Sequence, residues 1–127
     1  MWLSIGMDIL REIVLVVHFI GLASLFGGFF VQMTSREKVI NNAMFHGVLV
    51  QLVTGILLVG LREMQDLEVD QAKVAVKLVI TAVIAVLIVI NRKKATVALP
   101  VWAIIGGLTL LNIAIAVLWT GGAVDPT

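Results

Sequence analysis

Four long apolar runs alternate with short charged segments along this chain, covering residues 9–31, 43–61, 74–90 and 99–120. Each run is close to the ~20 residues that a helix rising ~1.5 Å per residue needs to cross a ~30 Å hydrocarbon layer. The connections are two short turns and one polar loop, with no internal repeat and no low-complexity linker. The pattern predicts an all-α fold with one domain over residues 1–127, an integral membrane four-helix up-down bundle. Its surroundings are then the lipid bilayer, and its location is the cell membrane as a multi-pass protein.

Read at ~100° per residue, the non-apolar positions of each run gather on one side. Span one carries His18, Gly21, Leu25, Gly28 and Gln32 in steps of three or four. Span two carries Gly47, Gln51, Thr54, Leu58 and Arg62, with His46 at the margin. Span three repeats Lys73, Lys77 and Thr81 in steps of four, and span four shows Gly106, Thr109 and Ala116 with Asn112 beside them. These stripes predict a bundle interior more polar than its outer face. Gln51, Thr54, Thr81, Thr109 and Asn112 are expected there as interhelical hydrogen-bonding residues, each worth about 0.6–2 kcal/mol. Gly21, Ser24, Gly28, Gly47, Gly55 and Gly106 are expected to let backbones approach.

Composition supports the same class: 61% of residues are hydrophobic and 13% charged, against about 45–50% and about 25% in soluble domains. The lack of cysteine removes disulfides, thiolate metal sites and cysteine nucleophiles from consideration. A net charge of +1 carries no nucleic-acid signal. Asp8 and Glu12 beside Arg11 speak against the first run being a cleaved signal peptide. Arg36 and Lys38 in the first connection and Arg92, Lys93 and Lys94 in the third predict a cytoplasmic position for both. The acidic second connection, with Glu63, Asp66, Glu68 and Asp70, then faces out, as do both termini. Trp102 and Trp119 are expected in the two aromatic belts, and Pro100 at a first helical turn. Gly27-Gly28 and Gly106-Gly107 lie inside apolar runs, where they serve packing rather than phosphate binding.

An ionisable group within hydrocarbon is costly and points to a site with a partner. His18 and Lys77 are such groups. Antiparallel counting puts His18 about 4–5 Å and Lys77 about 7 Å to the outer side of the midplane, so the two can share one site. His46 falls about 9 Å to the inner side, roughly 13 Å in depth from His18, which disfavours a bis-histidine haem and makes His46 an interfacial side chain. Lys73, one turn from the outer boundary, is expected to reach the headgroups.

The run His18-Phe19-Ile20-Gly21-Leu22-Ala23-Ser24-Leu25-Phe26-Gly27-Gly28 resembles the first helix of the four-helix membrane domain shared by the copper-resistance D family and the HemJ-type protoporphyrinogen oxidases. Phe45-His46 followed by Leu52-Val53-Thr54-Gly55 is similar to their second helix, and Val76-Lys77-Leu78 to the lysine that opens their third. Leu25-Phe26 departs from the tryptophan that these families often carry before the glycines. The resemblance implies haem b in the bundle, with His18 and Lys77 as the functional pair and His18 as the metal ligand. It implies a distant relative with a different task rather than the oxidase itself.

Three functions follow from the sequence. The first is a haem-binding or redox-linked membrane protein using His18 and Lys77. The second is copper- or ion-transport-related, acting as a homodimer because four short helices enclose little; Met33, Met44 and Met64 are scattered near span ends, a poor set for soft copper. The third is a non-catalytic accessory or assembly subunit of a larger membrane complex. No residue is assigned a catalytic role. The topology is directly testable in a protein without native cysteine: Asp70→Cys should react with a membrane-impermeant thiol reagent added outside, and Lys93→Cys should not. The reverse labelling would overturn the assigned orientation.

Overall fold

The structure, a computed structural model, describes residues 2–66 and 71–119. Four helices follow in order: α1 (Trp2–Phe30), α2 (Asn42–Met64), α3 (Gln71–Asn91) and α4 (Leu99–Leu118). All four are long and apolar enough to cross a membrane. Their bounds follow the apolar runs closely except at α1, which begins at Trp2 rather than at residue 9. Asp8, Arg11 and Glu12 interrupt the hydrophobicity without interrupting the helix, and Asp8 and Arg11 find polar partners. Arg11 Nη2 lies 3.6 Å from Asp8, Arg11 Nε donates to Gln65 Oε1 at 3.0 Å, and Gln65 Nε2 donates to Asp8 Oδ1 at 2.6 Å. This cluster ties the first turns of α1 to the C-cap of α2. The expected end of span four at Thr120, and Glu68 and Asp70 of the acidic connection, lie outside the described residues.

Capping sets the other boundaries. Asn41 has extended backbone, and its side chain accepts from Met44 N–H at 2.9 Å, satisfying one of the orphan donors at the start of α2. Pro100 stands in the first turn of α4, where a missing N–H removes no intrahelical bond. Beyond α2, Asp66 turns the chain at a φ of 55°.

The helices form a ring in which α1 packs on α2 and α4, and α3 on the same two, so that α1 and α3 are diagonal. The α1/α2 seam is the most extensive, for a backbone reason. A Cβ on Gly47 would fall onto the backbone of Leu25 and Gly21, one on Gly21 would meet Val50, and one on Gly28 would meet Asn41 and Met44. Ser24 Oγ crosses the same seam to Ala43 O at 2.7 Å. Against α4, the ring of Phe29 occupies the space over Gly106 and stacks on Trp102, with centroids 4.3 Å apart. Leu25, Met44, Val48, Ile84, Ile88 and Ile105 complete an apolar core, which sits toward the end that carries the first and third connections.

Those two connections are joined. Val97 N–H donates to Lys38 O at 2.7 Å in a lone antiparallel bridge. Lys38, one of the charges of the first connection, is buried, at 6% exposure. The Nζ donates to the carbonyls of Gln32 at 2.5 Å and Ser35 at 2.6 Å, with Met33 O at 3.4 Å. It also lies 4.4 Å from the centroid of the Trp102 ring. A cation over the carbonyls that close a helix, and over an aromatic face, needs no carboxylate. Trp102 is therefore buried at the join of α1, α4 and the first connection, in the first turn of α4.

The seam makes a sharp prediction. Gly47→Ala should destabilise the protein by about 1–3 kcal/mol, as overpacking of a closed contact does. Gly27→Ala, where a Cβ meets nothing within 4 Å, should be neutral. Thermal unfolding of both variants in detergent checks the pair.

Candidate polar site in the bundle interior

The close α1/α2 approach at Gly21 and Gly47 places His18, one turn earlier on α1, against α2. Its Nδ1 lies 2.6 Å from Thr54 Oγ1. The single hydroxyl proton of Thr54 is directed to Val50 O, at 2.5 Å, so the imidazole is the donor in the histidine–threonine bond. In the neutral ring the proton then sits on Nδ1 and Nε2 keeps a bare lone pair. The ring passes beside Gly55, where a Cβ would stand 3.7 Å from His18 Cε1 and 3.8 Å from Leu78 Cδ2 of α3. From α3, Lys77 lies close enough for its charge to act on the imidazole. Leu78, next to Lys77 in α3, thus reaches the level of His18 beside Gly55, and α1 and α3 are diagonal in the ring.

The other interior residues link into the same region. Thr81 Oγ1 donates to Lys77 O at 2.8 Å, and Asn112 Nδ2 of α4 donates to Thr81 Oγ1 at 2.8 Å. Thr109 is buried and its hydroxyl returns to Ile105 O at 2.8 Å. Gln51, 6% exposed, sits on the buried face of α2 one turn from Thr54. Its Oε1 and the Oδ1 of Asn112 are buried without a hydrogen-bond partner. Lys73 departs from expectation: it is 3% exposed, and its Nζ donates to Ala116 O at 3.3 Å. Burial against α4, rather than extension to the boundary, holds it one turn beyond Lys77.

His46 is elsewhere. It is exposed near the start of α2, edge-on to Phe45 with ring centroids 5.4 Å apart, and Arg92 covers the Phe45 ring at 3.7 Å. Eight residues separate it from Thr54, the partner of His18, which is about 12 Å along a helix axis. The two imidazoles of one chain therefore do not converge. Among the described residues no group of three or more His, Asp or Glu gathers as a metal site. The sequence stripes had Thr54 facing the interior without pairing it to His18. The signal was available in antiparallel counting: a contact between residues 21 and 51 puts residue 18 opposite residue 54.

Comparison with family models, curated proteins and solved structures finds no match to this chain. The site therefore stands on its own geometry, of which the protonation of His18 is the most direct expression. Nitrogen-15 NMR of the neutral imidazole should show Nδ1 protonated and Nε2 bare, and Thr54→Val should abolish that preference. An Nε2–H tautomer in the unaltered protein would overturn the assignment.

Proposed function

We propose that this chain is a multi-pass membrane protein, oriented with both termini outside, that binds haem b through His18 and serves a redox-linked role. The observation that carries this reading is the His18–Thr54 bond. A metal-ligating histidine characteristically donates its second ring nitrogen to a fixed acceptor, which sets both tautomer and ring orientation, and Thr54 supplies that acceptor at 2.6 Å.

The donor set fits one form of haem and not another. One imidazole nitrogen is bare, and His46 stands about 12 Å away along the axis, so the residues suit an iron with a single histidine ligand from this chain. Lys77 would offer its ammonium to an acidic group of the cofactor. Glycine at position 55 keeps the ring of His18 clear of side-chain bulk. When bound, haem would supply one-electron iron chemistry. The chain's own contribution is to orient the imidazole through Thr54 and to keep a cation close to it. Copper is less well served, since Met33 and Met64 stand at opposite ends of the bundle and Met44 is closed inside the apolar core.

Expression with haem supplied should give a protein with a Soret band. His18→Ala should abolish it, His46→Ala should leave it intact, and Lys77→Met should weaken cofactor retention less than the histidine change, because the iron bond remains. Equal loss in both histidine variants would overturn the ligand assignment. A colourless wild-type protein would overturn the haem reading.

A further inference from the structure

At the end of the bundle that carries the first and third connections, the last turn of α3 meets the first turn of α2 through one phenyl ring. Arg92 directly follows α3, and its guanidinium carbon lies 3.7 Å from the centroid of the Phe45 ring. His46 stands against the edge of the same ring. Phe45 is itself packed on the apolar core, so the cation rests on a fixed support. A guanidinium held over an aromatic face by cation–π attraction keeps its in-plane N–H donors available.

Those donors meet no acceptor among the described residues. Arg92, Lys93 and Lys94 are exposed in the turn after α3, and Arg36 is exposed in the first connection. Among the described residues Glu37 is the one acid at this end, and no ion pair joins it to any of them. Depth decides what the donors face instead. The rise along α3 from Lys77 to Arg92 is about 22 Å. With Lys77 about 7 Å to one side of the midplane, Arg92 stands about 15 Å to the other, at the edge of a ~30 Å hydrocarbon layer. That is where lipid phosphates begin. One turn deeper on the two sides of the α2/α3 seam, Leu49 and Val89 are exposed apolar side chains.

We propose that Arg92, mounted on Phe45, is a binding position for the phosphate of an anionic phospholipid, whose acyl chains lie along Leu49 and Val89. The guanidinium donates paired N–H bonds to the phosphate oxygens. Lys93 and Lys94 favour a headgroup of net negative charge over a zwitterionic one. The general attraction of a basic connection to an acidic leaflet requires charge alone, whereas this position requires the Phe45 platform as well. It rests on the reading of the four helices as membrane-spanning and not on haem at His18.

The test uses the full-length protein extracted from membranes into mixed micelles with equal amounts of phosphatidylglycerol and phosphatidylcholine, with retained lipids counted by native mass spectrometry. Phosphatidylglycerol should be retained at least about five-fold over phosphatidylcholine. Arg92→Gln should reduce its retention by about five-fold or more, and so should Phe45→Leu, which alters no charge. Arg36→Gln removes an equal charge two residues from Lys38, whose side chain packs on Trp102 of α4, and should leave retention within about two-fold of the unaltered protein. Equal loss in Arg92→Gln and Arg36→Gln would reduce the effect to net charge and overturn the proposal. Equal retention of the two lipids, or retention unchanged in Phe45→Leu, would do the same. Circular dichroism and the elution profile establish that each variant is folded. If Phe45→Leu is not, the comparison of Arg92→Gln with Arg36→Gln, both at exposed positions, decides. Recovery of the chain outside the membrane fraction would overturn the membrane reading itself, an outcome distinct from a membrane protein that shows no lipid preference.

Discussion

The missing side chain at Gly47 lets the backbone of α2 come against the backbone of Leu25 and Gly21, and this contact fixes the register on which the rest of the bundle depends. Antiparallel helices held at one point are held at every point along their shared length. Gly47 against Leu25 therefore sets Gly21 against Val50, Gly28 against Met44, and His18 against Thr54. A step of one residue would rotate α2 by ~100° and carry Thr54 away from the imidazole. The chemistry at His18 is a consequence of packing two turns away.

The same end of the molecule is closed by a second device, electrostatic rather than steric. The Lys38 ammonium donates to carbonyls of the turn that follows α1, while its own backbone oxygen receives Val97 N–H. Trp102 lies under the ammonium and over Phe29, so cation, indole and phenyl ring form a column from the first connection into the α1/α4 contact. Gln32 adds to it by donating to Gly28 O at 2.8 Å and accepting from Val39 N–H at 2.7 Å. The thin α1/α4 seam is secured mainly here, by a few large groups rather than by continuous close approach.

The helices were legible in the sequence because apolar length and a ~3.6-residue period are properties of each segment alone. The buried face of α2, with Gly47, Gln51, Thr54 and Leu58, was read correctly from period. Lys73 was misplaced, and the burial of Lys38 and Trp102 was not foreseen, for a shared reason. Charge and aromaticity near the end of an apolar run suggest the membrane boundary, but these side chains found buried partners contributed by other segments. A cage of carbonyls has no sequence signature, since every residue carries a carbonyl. The extension of α1 to Trp2 was likewise hidden, because the Asp8, Arg11 and Gln65 contacts that sustain it join positions far apart in the chain. At the candidate site, His18 and Lys77 were visible as costly residues in apolar runs, whereas the direction of the His18 proton depends on Val50 O and on no residue type.

The interior is also divided along its axis, with polar residues from Lys73 to Asn112 on one side and the Leu25, Met44, Ile84, Ile88 and Ile105 core on the other. In a bilayer, such a division is electrical as well as chemical. A polarisable, hydrogen-bonding half supports little potential difference, so most of a transmembrane voltage falls across the low-dielectric apolar half. In a bilayer His18 would then sit closer in potential to the face that carries Gln65 than to the Lys38 face. A proton or electron delivered to it from that face would do less work against the membrane voltage than one delivered from the Lys38 face.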